Sequence, residues 1–135
     1  QFWRPLMADQ EEARVETQPS ILAVDHNQRN LELLVQFLGQ AGYQVLAARD
    51  MDESGRILAA HAEIGLALIN LAGFDRSIWD LCEQVRTKGM PLLVISPKQR
   101  VAIEMESLAH GARGVLTKPL VVRELLALIQ RLLEE

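Results

Sequence analysis

Five polar residues each stand at the end of an apolar run. Asp25 and His26 follow "ILAV", Asn70 follows "IGLALI", Ser96 follows "LLVI" and Lys118 follows "GVLT". Together they offer a carboxylate, an imidazole, a carboxamide, a hydroxyl and an ammonium group. A carboxylate suits a hard cation such as magnesium, while imidazole suits zinc or nickel, or carries a proton near neutral pH. A hydroxyl and an ammonium group can hold an anion. Only one of the five is an acid, so the usual pair of carboxylates for acid–base work is missing. "DHNQRN" contains no glycine, so it cannot wrap a phosphate as a Gly-rich loop does. Asp25 and His26 are adjacent, which also rules out the Asp-x-His spacing of a cobalamin ligand.

The elements that must position these groups alternate between short apolar runs and helical periodicity. Strands are predicted at 21–24, 44–48, 64–70, 91–96 and 114–118. Helices are predicted between them and after the last. In the first, Leu31, Leu34, Val35 and Leu38 fall on one face and Gly42 ends the helix. Asp50 and Asp52 are candidate caps for the second, "SGRILAAHA". Trp79, Cys82 and Val85 form the inner face of the third. The last two span 99–110 and 121–134. Asp25 is itself a candidate cap for the first helix. Apolar strands alternating with helices predict an α/β fold, a doubly wound (βα)5 three-layer sandwich around a five-stranded parallel sheet. Ligands of such sheets sit beyond the carboxyl ends of the strands, where all five polar residues stand.

The 135 residues suffice for one such domain, and a hydrophobic share of 49% supplies its core. A net charge of −4 argues against unaided binding to nucleic acid or an anionic membrane. Cys82 is the only cysteine, so no internal disulfide forms and a cytoplasmic location is expected. No apolar run reaches the roughly 18 residues of a membrane span. Residues 1–19 are polar and acid-rich and read as a flexible leader, with Met7 a candidate native start and residues 1–6 a cloning remnant. The folded unit is expected at 20–135. The last helical pattern runs to Glu135, and a further domain is expected to follow.

From residue 20 to 134 the chain resembles the receiver domain of bacterial response regulators, the phosphoacceptor module of two-component signalling. "ILAVDHN" is similar to the family's first strand, which ends in two acids. "IGLALIN" takes the place of the strand that ends in the phosphorylated aspartate. "LLVIS" ends in the family's hydroxyl residue, and "GARGVLTKPL" resembles its Gly-Ala…Lys-Pro segment. The separations agree: 45 residues from Asp25 to Asn70 and 22 from Ser96 to Lys118. The resemblance implies a flavodoxin-like sandwich, a cis bond between Lys118 and Pro119, and a pocket built from Asp25, His26, Asn70, Ser96 and Lys118. In the family, two acids and the acceptor aspartate hold magnesium. The acceptor carboxylate forms an acyl phosphate, and lysine, hydroxyl and backbone N–H groups neutralise it.

Against that pattern the working positions are altered together. Asn70 stands in the phosphoacceptor position, and a neutral carboxamide is not expected to be phosphorylated. His26 replaces an acid and leaves Asp25 as the only carboxylate, so weak or no magnesium binding is expected. Pro97 has no N–H to give a phosphoryl group, and Val115 stands where a switch aromatic is expected. The resemblance then implies a pseudo-receiver with no catalytic residue and no metal or other cofactor. An Asp25–Lys118 ion pair, with Asn70 and Ser96 as hydrogen-bonding neighbours, is expected to balance the pocket.

The function expected is a phosphorylation-independent interaction module, not an enzyme, that docks a protein partner or a fused output domain. The docking surface is expected on helices 99–110 and 121–134, both richer in apolar residues than one buried stripe needs, and the same surface would serve a homodimer. Two alternatives stand beside it. One is a receiver-like sensor switched by a small molecule or metal at the remodelled pocket; the other is a flavodoxin-like enzyme or cofactor binder. The plainer readings of single residues are a solvent-edge His26, helix-terminal His61 and His110, and a core Cys82.

Overall fold

In the computed structural model, the described residues are 19–134. The leader expected at 1–19 therefore lies, but for Pro19, outside the described residues, and so does Glu135. Five strands and five helices alternate: β1 (Ser20–Val24), α1 (Gln28–Gln40), β2 (Gln44–Ala48), α2 (Met51–Ala60), β3 (Ile64–Asn70), α3 (Ile78–Thr87), β4 (Leu92–Ser96), α4 (Val101–Ala109), β5 (Ala112–Thr117) and α5 (Val122–Glu134). All strand pairs are parallel, in the order β2-β1-β3-β4-β5. This is the predicted (βα)5 flavodoxin-like sandwich.

Period-two alternation divides the strand side chains between two cores. Leu22, Val24, Ala67, Ile69 and Val94 face one side, against Leu58 of α2 and Trp79, Cys82 and Val85 of α3. Ile21, Leu66, Leu68, Leu93 and Ile95 face the other, against Leu34 and Leu38 of α1 and Leu125, Ile129 and Leu132 of α5. Both faces of the central strands are covered, which explains their nearly unbroken apolar runs.

Local chemistry fixes the ends of the helices. Asn27, not Asp25, caps α1, its side chain accepting from the Asn30 N–H. Asp50 caps α2 by accepting from Glu53 N–H, while Asp52 falls within the first turn. Gly42 takes a positive φ of 97° beyond α1 and donates to the Gly39 carbonyl, which turns the chain into β2. Val35, expected inside, is exposed. Leu31, Leu34 and Leu38 complete the buried stripe, and the position four after Leu31 falls on its solvent side.

Candidate functional site

The sheet reverses its direction of winding between β1 and β3, the two strands that carry Asp25 and Asn70. Val24 pairs with Ile69 in the ladder, so the next step along both strands places Asp25 beside Asn70. Both are buried, each 1% exposed. Asn70 Nδ2 donates to Asp25 Oδ2 at 3.0 Å, and Asn70 Oδ1 accepts from Ala72 N–H at 3.0 Å. A carboxylate only accepts, so the amide must turn its NH2 toward Asp25 and its oxygen toward the Ala72 N–H. Asp25 Oδ1 accepts from Asn27 N–H at 2.9 Å. The acid therefore holds the residue that caps α1 and, at the same time, the carboxamide that ends β3.

The remaining candidates are close in chain path but not in bonding. Lys118 follows the end of β5, its N–H donating to the Ser96 carbonyl at 3.1 Å, and the Lys118–Pro119 bond is cis. Its side chain lines the pocket beside Asp25 and Asn70 but is exposed. No ion pair forms between Lys118 and Asp25. This corrects the expected pairing. A neutral amide satisfies the carboxylate without stripping an ammonium group of its water, a cost that often exceeds the Coulomb gain of a buried pair. Ser96 also differs from expectation. Its hydroxyl donates to the Lys98 carbonyl at 2.6 Å and accepts weakly from Lys98 N–H at 3.4 Å, fastening the loop around Pro97. His26 is exposed and meets the edge of Phe74 at 5.8 Å between ring centroids. Gly73, with φ of 85°, gives it room, since a Cβ there would lie 3.0 Å from the imidazole.

The donor set does not fit a magnesium seat. Asp25 is the one carboxylate at the strand ends, and both its oxygens and the Asn70 oxygen already accept from protein N–H groups. Among the described residues, no three His, Cys, Asp or Glu side chains gather as metal ligands do. Every buried side-chain polar atom described has a partner.

A second polar cluster, which the sequence reading did not find, fastens α4 to α3. His110 caps the C-terminus of α4 and stacks on Trp79, the ring centroids 5.0 Å apart. Its Nδ1 lies 2.9 Å from Glu83 of α3, and Glu106 of α4 also bonds Arg76 at 2.6 Å. The Glu106–His110 spacing of four at a helix end was the available signal. Next to it Cys82 is buried, and loss of water around the thiol pushes its pKa up to about 12. It is core, as the sequence suggested, and burial keeps the thiol protonated near neutral pH.

α4 itself buries only Ser107. Val101, Met105 and Leu108, spaced along one face, are 72%, 65% and 49% exposed. α5 behaves otherwise. Its leucines, Ile129 and Val122 are buried or half-buried, leaving only Val121, just before the helix, as a large exposed apolar side chain there. The exposed apolar residues thus lie mainly on α4 rather than on both helices. No described helix is long and apolar enough to cross a membrane.

The family described as response regulator receiver domain matches residues 21–130. The chain belongs to that family. It is 31% identical over 118 residues to the transcriptional regulatory protein HprR of Escherichia coli (strain K12), covering 85% of this chain and 52% of that protein. It is 34% identical over 116 residues to the response regulator MprA of Mycobacterium leprae (strain TN), covering 84% and 50%. The chain thus spans about half the length of these relatives. Among solved structures, a CheY-like receiver domain protein from Methanospirillum hungatei JF-1 superposes with a TM-score of 0.78. It is 26% identical, with 87% of this chain and 94% of that one covered. Receiver domains are signalling modules, and that much of the function belongs to this chain.

Proposed function

We propose that this receiver domain is a pseudo-receiver that signals without accepting a phosphoryl group. It acts as a protein-interaction module rather than an enzyme. The observation that carries the reading is the 3.0 Å hydrogen bond from Asn70 Nδ2 to Asp25 Oδ2. An acyl phosphate forms when a carboxylate oxygen attacks phosphorus. At the phosphoacceptor position this chain has a neutral amide with its oxygen held by Ala72 N–H and its NH2 held by Asp25. The bonds that would be strained by like charges in a three-acid pocket are mutually satisfied here, so no metal is needed to balance them. Ser96 serves its own loop, and Pro97 removes an N–H that would face a phosphoryl oxygen.

The partner surface is α4. An exposed stripe of Val101, Met105 and Leu108, continued by Val121, suits an apolar face of a fused output domain, a separate protein or a second copy. Relatives twice as long that are named transcriptional regulatory proteins support an output domain in the same polypeptide. With a net charge of −4 over its 135 residues, the chain would not contact nucleic acid itself.

Incubation with acetyl phosphate and magnesium, followed by intact mass measurement, tests the reading. The mass should stay unchanged. A stable gain of one phosphoryl group would refute it.

A further inference from the structure

A pocket of about 250 Å³ opens between α1 and the start of α5. Its walls are Leu33, Leu34 and Phe37 of α1 with Leu120, Val122 and Leu125, and its polar end holds Asp25, Asn30, Asn70 and Lys118. Leu34 and Leu125 are buried, so the pocket reaches the core, whereas Leu33 and Phe37 remain exposed along its rim. The two charges at the polar end differ in kind. Asp25 is 1% exposed, fixed by two hydrogen bonds, and has no cation within ion-pairing distance. Lys118 is exposed on a flexible stem and can swing away.

We propose that this pocket binds a small amphipathic primary amine, its ammonium against Asp25 and its apolar body along Leu33, Phe37 and Val122. The fixed charge decides the sign of the ligand. A buried carboxylate attracts an opposite charge several times more strongly than a solvent-screened surface lysine does. A lone carboxylate is a poor divalent seat but matches a monovalent ammonium group. Among the described residues the Asn30 side chain has no hydrogen-bond partner, only its backbone N–H being bonded, and it offers a second acceptor oxygen at the same end. Size follows from the volume: a cavity of about 150 Å³ admits benzene, so this one admits a ring with a short amine arm, roughly ten non-hydrogen atoms. The inference rests on the proposed function only in requiring that no divalent ion claims Asp25.

Amide NMR shifts of the protein, recorded in EDTA with 2-phenylethylamine, 2-phenylethanol and phenylacetate, test it. The amine should bind saturably with a Kd below about 1 mM, shifting Asn30, Leu33, Phe37 and the Asn70 side-chain NH2. The alcohol and the acid should bind at least about tenfold more weakly. Asp25→Asn should erase the preference for the amine. Phe37→Ala, at an exposed position, should weaken all binding while keeping the preference, so the test stands even if the Asp25 variant fails to fold. Tighter binding of phenylacetate, equal binding of the alcohol, or no saturation would overturn the proposal. Shifts that follow protein concentration and ignore the amine would also overturn it, pointing to a second copy over the rim. Adding magnesium in a separate titration keeps the two readings apart: ion-induced shifts would contradict the phosphorylation-independent function, whereas the amine data speak only to the pocket.

Discussion

The carboxyl ends of the central strands and the outer face of α4 solve opposite problems. At the strand ends, the polar groups of Asp25 and Asn70 lie inside the protein and each is satisfied: Asp25 by Asn27 and Asn70, Asn70 also by Ala72. On α4, apolar groups lie outside, with Val101 and Met105 among the most exposed large hydrophobic side chains described. The first region is stable as it stands and requires nothing to complete it. The second is stable only in the sense that a clamp of His110, Trp79, Glu83 and Glu106 holds the helix in place. In an ordinary signalling pocket, the unsatisfied region would be the acid cluster. In this receiver domain the acid is satisfied and the exposed apolar groups lie on the helix face.

Substitutions sharpen that contrast, because those at the strand ends should cost stability and those on α4 should cost association. Asp25→Ala leaves the Asn70 NH2 and Asn27 N–H without their acceptor and should lower unfolding free energy by about 2–3 kcal/mol in urea titrations. Asn70→Asp should cost about 1–2 kcal/mol at neutral pH in EDTA, because a carboxylate oxygen replaces the NH2 now 3.0 Å from Asp25. The neighbouring charges raise the pair's folded pKa. The mutant's deficit should therefore vanish as pH falls below the carboxylate range, grow as pH rises from that range to the raised value, and level off above it. Magnesium should restore its melting temperature while leaving the parent protein unmoved.

Smaller effects follow. Asn27→Ala should cost about 1 kcal/mol, measured in the same way, as the loss of a cap. Met105→Glu should change stability by no more than about 0.5 kcal/mol yet abolish any self-association seen by sedimentation. If instead Met105→Glu unfolds the domain and Asp25→Ala does not, the contrast is wrong. Cys82 adds nothing that varies near neutral pH. Its thiol titrates near 9 when unfolded and is pushed up to about 12 by burial. The contribution of Cys82 to stability should therefore be constant below pH 9 and fall as pH rises toward 12, as circular dichroism melts of the parent against Cys82→Ala would record.

Much of the fold could be read from the residues. The apolar runs at 44–48 and 64–70 coincide with β2 and β3, β3 buried almost throughout and β2, at the edge of the sheet, mostly half-buried. β5 begins earlier than the run "GVLTK" suggests, at Ala112, because an irregularity in its ladder with β4 lets Leu92 pair there, and Lys118 leaves the strand. The strand-end residues were legible as a set, but their bonding was not. Charge alone suggested Lys118 as the partner of Asp25, whereas ladder register gives that place to Asn70, 45 residues away. Periodicity likewise treated α4 and α5 alike, although α5 buries Leu125, Ile129 and Leu132 against the sheet and α4 buries only Ser107.

The most direct measurement follows the side-chain NH2 resonances of Asn70 while magnesium and then beryllofluoride are added to the unmodified domain. They should stay where they are, because both ends of that amide are already bonded within the protein. Saturable displacement centred on positions 70 and 96 would show a working phosphoryl pocket and contradict the account.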